Sequence, residues 1–370
     1  MTKCRFCNYA LKDVIVDLKS QPSANRLLSR EDLDKLKQGK SEWRSHLITY
    51  ICENCSLVQL GDSTPPEDLF TNDYNYYSSF SNEWVNHAKE FVKKVIPKFN
   101  LTSNSRVLEI GSNDGYLLQH FVSSNIPCQG IDPAGQAAKV AEKKGVRTIV
   151  GFFDKTTSEY IMKHFGKCDL IIGNNVFAHI PKIRDFISNI KYCLSEKGFI
   201  SLEFPHLAKL VEHTQFDTIY DEHYFYHSII ALKNIFSEFR LKIIEVNEIS
   251  THGGSLRIFL THEKNNVYPI SKSVNNVLHK ELSLNLGQKE GFQKFQRKTE
   301  EIRHNAIDFI RKRREKGQKI LAFGAAAKGN IFLNYCGINS DDIICIVDDT
   351  PAKQGKFLPG SHIPVESANV

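Results

Sequence analysis

The chain has 370 residues, more than one hydrophobic core usually holds, so about two or three domains are expected. Hydrophobic residues make up 41% and charged residues 24%, the balance of a globular protein, and no apolar run approaches the roughly 20 residues that span a bilayer. The 48 Lys and Arg exceed the 42 Asp and Glu by only 6, spread along the chain, which argues against nucleic acid as a partner. The start, Met-Thr-Lys-Cys-Arg, lacks the apolar stretch of a signal peptide.

Residues 1–70 are organised by cysteines. Cys4-Arg-Phe-Cys7 and Cys52-Glu-Asn-Cys55 are two Cys-x-x-Cys knuckles. Together they can complete a tetrahedral four-thiolate site, and that donor set favours Zn²⁺ over a hard cation. With no position left open for water, such a zinc would be structural and would staple a segment whose own core is thin. The rival is a pair of redox motifs, but neither is followed by a thioredoxin-like βαβ pattern. The other cysteines, 128, 168, 193, 336 and 345, stand singly in apolar or mixed segments. That usage suits the cytoplasm.

Pro65-Pro66 ends this module, and the tyrosine-rich stretch Asp73–Phe80 follows. Trp84, Ala88, Phe91, Val92 and Val95 recur at helical spacing, so a helix precedes the next domain. From Arg106 to about Ile249, strand and helix signals alternate. The strands are Val107–Ile110, Gln129–Ile131, Thr148–Val150, Leu170–Ile172, Gly198–Glu203 and Leu241–Val246. This is the rhythm of a doubly wound α/β sheet.

Within it, Val107-Leu-Glu-Ile-Gly-Ser-Asn-Asp-Gly-Tyr116 reads as a buried strand, a tight glycine loop and a helix. Asp132 ends the next strand 21 residues after Gly111, where a carboxylate can accept both hydroxyls of a ribose. The spacing is Glu-x-Gly-x-x-x-Gly, not the dinucleotide fingerprint. Glu109 would repel a phosphate but suits a cation. Acid, open loop and distal Asp together resemble the S-adenosylmethionine site of class I methyltransferases. The bland reading is an ordinary strand–turn–helix.

Asn174-Asn-Val-Phe-Ala-His179 follows a strand and brings amides and a histidine to the same end of the sheet. Asn174 could touch the amino-acid part of the ligand, and His179 could face the substrate. Tyr220, Glu222 and His223 then fall within four residues, after the strand end Leu202-Glu-Phe-Pro205. A histidine near neutral pKa can take a proton, and a tyrosine can donate to developing negative charge. An aromatic loop with a satisfied histidine is an equal alternative on local sequence.

His252-Gly-Gly-Ser255 with Arg257 is a turn that could cradle a phosphate, though a plain glycine turn is simpler. Ser255–Leu260 is a further strand. Residues 263–317 read as one or two solvated helices. Lys319–Asn330 then runs from strand through a small-residue loop into a helix, followed by the strand Ile343–Asp348. This is a second nucleotide-binding-like unit, with Lys328 either an anion ligand or a helix-end charge.

Taken in order, the Cys pairs, Leu108–Gly115, Asn174–His179, Tyr220-x-Glu-His223, Thr251–Arg257, Gly324–Asn330 and Val347–Gly355 resemble the sugar C-methyltransferase family, which includes C-3′-methyltransferases of deoxysugar pathways. The resemblance covers nearly the whole chain. It implies a zinc module (1–70), a class I Rossmann-like methyltransferase domain (71–250) and a C-terminal Rossmann-like domain (251–370). It also implies a nucleotide-linked 4-keto-6-deoxysugar bound between domains of a cytoplasmic monomer.

His223 resembles the family's base, Tyr220 and Glu222 its neighbours, His179 a further active-site histidine and Tyr76 a substrate contact. The expected cofactor contacts are Glu109, Gly111, Ser112, Asn113 and Gly115 from the loop, with Asp132, Phe153 and Asn174. Asn175, His252, Ser255, Arg257 and Lys328 complete the expected substrate contacts. Family members continue some tens of residues past the stretch matching Pro359–Pro364, so the last domain is expected to be truncated or pared down. The alternatives from the residues alone are an O- or N-methyltransferase and a non-catalytic nucleotide-binding scaffold.

Overall fold

The computed structural model describes residues 2–61, 64–69 and 77–368. Three antiparallel strands build the N-terminal module: β1 (Asp13–Pro22), β2 (Arg44–Ile51) and β3 (Val58–Leu60). Between β1 and β2 runs the helix Arg30–Lys37. Ser29 and Asp32 cap it reciprocally, satisfying amides that a helix start leaves unpaired.

The helix Asn82–Lys98 follows, and its buried residues are Trp84, Ala88, Phe91, Val92 and Val95, the set expected from spacing. The central strands are β4 (Val107–Ile110), β5 (Cys128–Asp132), β6 (Thr148–Val150), β7 (Cys168–Asn174) and β8 (Leu194–Pro205). After the two-residue β9 (Phe225–Tyr226) come β10 (Leu241–Ile249) and β11 (Ser255–His262). The sheet order is β10-β11-β8-β7-β4-β5-β6, and only β11 runs against its neighbours. β11, which lies beyond the expected boundary at residue 250, is therefore part of the central sheet.

Side chains alternate across this sheet. Val107, Leu170 and Ile172 pack with Phe91 and Val95 on one face. Leu108, Ile110 and Ile171 pack with Phe186 and Ile190 on the other. With both faces covered, β7 is apolar almost without interruption, as buried parallel strands are. Strand order reverses between β4 and its neighbours β5 and β7. Ligand crevices open at the carboxyl ends of strands around such a point.

β9 departs from the central sheet. It pairs antiparallel with β3 and closes the N-terminal sheet in the order β1-β2-β3-β9. The helices Lys272–Ser283 and Phe295–Glu315 lead to the last unit. There β12 (Ala322–Phe323), β13 (Ile346–Val347) and β14 (Val365–Glu366) form a small parallel sheet beside the helix Ala327–Cys336. No helix among the described residues is long and apolar enough to cross a membrane.

One buried carboxylate knits the middle of the molecule. Glu281 is fully buried; its Oε1 lies 2.8 Å from His206 Nε2 and accepts from the Ile229 amide at 2.9 Å, while Oε2 accepts from the Ile230 amide at 2.9 Å. It thus caps the helix Ile229–Glu238 from another helix. Glu281→Ala should strand both amides and the imidazole and lower stability by about 3 kcal/mol. Thermal denaturation measures this, and an unchanged midpoint would show that the pair contributes nothing.

Candidate functional site

The zinc module presents its four cysteines in two knuckles. Its two knuckles are built alike. In each, the residue after the second cysteine takes a left-handed backbone: Asn8 at φ 61° and Ser56 at φ 60°. The Asn8 amide donates to the Cys4 carbonyl at 2.9 Å, and the Ser56 amide to the Cys52 carbonyl at 2.8 Å. Cys4 Sγ lies 3.6 Å from Cys55 Sγ, Cys7 Sγ lies 3.5 Å from Cys52 Sγ, and all four sulfurs fall within 4.8 Å of one another. A tetrahedron with Zn–S of about 2.3 Å has edges of about 3.8 Å, so the donor set fits Zn²⁺ and leaves no position for water.

The cofactor side is built at the ends of β4, β5 and β7. Gly111 turns the chain at φ +70°, and a Cβ there would stand 2.3 Å from Val176 Cγ2, so only glycine serves. Asn113 follows at φ 48°, and Gly115 at φ +75° lies against Ala141 and Val146. Asp132 braces this loop: its Oδ2 accepts from the Asn113 amide and its Oδ1 from the Ala134 amide, each at 2.8 Å. Each oxygen retains a lone pair for a ligand hydroxyl. Burial raises the Asp132 carboxyl above its ordinary range.

Glu109 is fully buried, and neither carboxylate oxygen has a hydrogen-bond partner. Burial, followed by the charges of Asp132 and Asp114, pushes its pKa well above the usual value. An unpartnered buried acid is costly, and a cationic ligand would relieve that cost. The Asn174 side chain is buried with both amide atoms unpartnered, as are Ser112 Oγ and Asn175 Oδ1. Acid, amides and hydroxyl together fit the ammonium, carboxylate and sulfonium of S-adenosylmethionine. Phe153 stands past β6, edge-on to Phe186 at 5.8 Å between centroids.

His179, just past the end of β7, and the segment after β8 form a histidine cluster. His223 is 6% exposed, and its Nδ1 lies 2.8 Å from the Thr218 carbonyl. A carbonyl only accepts, so Nδ1 carries the proton and Nε2 is the basic atom. The Tyr220 ring lies 4.0 Å away and the His179 ring 4.7 Å away, edge-on. Burial, then the neighbouring His179, hold the His223 pKa well below 6.5. Burial likewise lowers His179 to about 4, against a bond to the Glu222 backbone. The Glu222 side chain reaches Asn25, whose Nδ2 donates to Oε1 at 2.8 Å.

The remaining predicted contacts divide. His252 sits at φ 54°, with its ring 5.0 Å from Trp84, and its carbonyl accepts from Lys328 Nζ at 3.1 Å. Burial lowers the Lys328 pKa, opposed by Asp217. Ser255 Oγ bonds the Thr251 carbonyl at 3.1 Å. Arg257 is directed inward: it pairs with Glu203, lies 3.0 Å from His87 Nε2 and covers the Phe91 ring at 4.1 Å. Tyr76 lies outside the described residues.

Glu203, His87 and Asn25 are not site candidates in the sequence, and Trp84 enters only through the helical period of its segment. For Glu203 the signal is its place at a strand end. For His87 and Asn25 no local pattern points to the site.

Three family models match consecutive parts of the chain: a zinc binding domain over residues 4–70, a methyltransferase domain over 84–246 and a C-methyltransferase C-terminal domain over 250–370. The C-methyltransferase NovU of Streptomyces niveus is 31% identical over 365 residues, covering 99% of this chain and 85% of that protein. Among solved structures, magnesium protoporphyrin IX methyltransferase from Synechocystis PCC 6803 is 15% identical, with a TM-score of 0.39 over 48% of this chain and 83% of that one. A methyltransferase from Clostridium acetobutylicum is 13% identical, with a TM-score of 0.39 over 47% and 90%.

The fold is that of a class I methyltransferase, an enzyme that uses S-adenosylmethionine and here also a structural zinc ion. The chain belongs to the C-methyltransferase family.

Two outcomes are expected. Metal analysis of freshly purified, untagged protein should find one zinc per chain with Zn–S distances of about 2.3 Å; protein without zinc would refute the four-cysteine site. Asp132→Ala should weaken S-adenosylmethionine binding by roughly 1–3 kcal/mol. Calorimetry giving an unchanged affinity would assign the ribose to another acid.

Proposed function

We propose that this enzyme methylates the carbon beside the ketone of a nucleotide-linked 4-keto-6-deoxysugar, with His223 as the base. The observation that carries the reading is the His223 imidazole. Its Nδ1 is fixed to the Thr218 carbonyl, its Nε2 is kept unprotonated by burial, and it stands between Tyr220 and His179 at the ligand end of the sheet. Lys328 and His252 add a donor-bearing side suited to a diphosphate. The joint motif pattern and the kinship with C-methyltransferases agree with this assignment.

The chemistry follows from these parts. S-adenosylmethionine, when bound, supplies an electrophilic methyl group. Glu109 and Asp132 place negative charge on its side of the crevice. His223 Nε2 removes the proton next to the ketone, and the C–H electrons move into an enolate. Tyr220 donates to the enolate oxygen. The cofactor, held by Glu109, Asp132 and Asn174, would give its methyl group to the enolate carbon and leave with the carbon–sulfur electrons on sulfur, while the proton remains on His223. Holding both reactants converts a bimolecular step into an effectively unimolecular one. Unpaired cysteines support a reducing compartment, and we assign the enzyme to the cytoplasm as a monomer.

A screen of 4-keto nucleotide sugars with labelled cofactor identifies the substrate. His223→Ala should then lower turnover by about 10²-fold or more, with little change in cofactor affinity. Wild type with keto-sugar and S-adenosylhomocysteine in D₂O should wash deuterium into the carbon beside the ketone, and the variant should not. Exchange that persists would move the role to Tyr220 or His179, and methyl found on oxygen would sink the carbanion mechanism.

The pH profile offers an independent check. A lowered folded pKa means that protonation is resisted, so the base stays competent as pH falls. The acidic limb of kcat/KM should therefore lie below about 6.5. A limb at or above that value would contradict the buried, neutral imidazole.

A further inference from the structure

The segment that carries His223 is irregular, and much of its order comes from outside the central domain. β9 lies opposite β3, with Val58 facing Tyr226 and Gln59 facing Phe225. The Leu60 amide donates to the Tyr224 carbonyl at 3.0 Å. β3 itself follows directly on the Cys52–Cys55 knuckle. From the other side, the turn Ser23-Ala24-Asn25 reaches the same segment. The Ala24 amide donates to Asp221 Oδ1 at 3.1 Å, and Asn25 Nδ2 donates to Glu222 Oε1 at 2.8 Å. The turn is held from behind by fully buried Asn330, whose Nδ2 lies 3.3 Å from the Ser23 carbonyl and 3.4 Å from that of Ala24.

Glu222 is 2% exposed, so its carboxylate requires donors where it lies. Its backbone takes a hydrogen bond from the His179 ring, and that ring meets His223 edge-on at 4.7 Å. A continuous chain of contacts therefore runs from the N-terminal module to the base. We propose that the N-terminal module positions the catalytic histidines, and that Asn25 is a positioning residue acting through Glu222 on the His179–His223 pair. This rests on the reading of His223 as the base. Asn25 is itself exposed, so its replacement opens no cavity.

The test uses Asn25→Ala and Asn25→Asp in the full-length zinc protein. The first readout needs no sugar: histidine-ring NMR of the protein with S-adenosylhomocysteine, with His179 and His223 assigned by His→Asn variants. Both ring signals should move in Asn25→Ala. The second readout is turnover of the keto-sugar nucleotide that wild type methylates. The value of kcat should fall by about tenfold or more, because small misplacements of reacting groups are costly. It should fall further in Asn25→Asp, where two carboxylates would face each other. KM and cofactor affinity should stay within about twofold.

Ring signals that do not move would overturn the proposal. So would a raised KM with kcat intact, which would make Asn25 a substrate contact. Zinc and cofactor affinity lost together with turnover would also overturn it, because that is the signature of general unfolding. Signals that move while turnover is intact would uphold the coupling and reject His223 as the base.

Discussion

The two-residue ladder between β3 and β9 ties the zinc module to the segment that carries His223. It acts together with β1, whose Val16 and Leu18 pack with Leu207, Phe216 and Phe295. The knuckle cysteines share a core with the central domain. Cys4, Phe6, Cys52, Cys55 and Leu57 pack in the same cluster as Leu108, Ile171 and Phe204. A segment of this size buries too little apolar surface to be stable on its own, and metal ligation adds folding free energy where the core is thin. The stability of the module and the geometry of residues 221–226 are thus parts of one problem.

The second organising constraint is charge. Glu109 and Asp132 gather at the ends of β4 and β5, and burial, with neighbouring acidic charge adding to it, raises the pKa of both carboxyls. His179, His223, His252 and Lys328 form a second group. Burial lowers the pKa of all four, so each resists carrying a positive charge. Buried acids favour a cation, and a sulfonium cofactor beside Glu109 and Asp132 would relieve part of the cost of burying them. The same low-dielectric surroundings keep His223 neutral and therefore basic.

Legibility in the sequence followed how local each signal was. The glycine loop and Asp132 could be read because a strand–helix–strand unit fixes their separation along the chain. The knuckles could be read because Cys-x-x-Cys is a complete local motif. The helix Asn82–Lys98 was marked by its period, and Trp84, Ala88, Phe91, Val92 and Val95 are its buried residues. The destination of β9 had no such mark. Its two residues resemble a continuation of the aromatic loop, and pairing with a strand more than 150 residues earlier is a tertiary event. Asn25 was hidden for the same reason. Glu222 was noticed, but as a neighbour of His223 in sequence, whereas its carboxylate reaches the N-terminal module in space.

Arg257 shows the same limit from the opposite direction. In the sequence it follows a glycine turn that could cradle a phosphate, although a plain turn is the simpler reading. In the fold it sits on β11, directly across the antiparallel ladder from Glu203 on β8. Both side chains are nearly or fully buried, and a buried charge is tolerated only when paired. Burial would raise the Glu203 pKa, but His87 and Arg257 outweigh it and hold the carboxylate ionised. His87 comes from the helix Asn82–Lys98, and Trp84 on that helix stacks over His87 and meets His252 edge-on. Thr251 Oγ1 lies 3.3 Å from Glu203 Oε1. The arginine is therefore spent on joining a sheet, a helix and the 251–254 turn. Its effect on a sugar nucleotide would pass through the shape of that turn and through Lys328, which bonds the turn from the C-terminal unit, because the guanidinium charge is already neutralised.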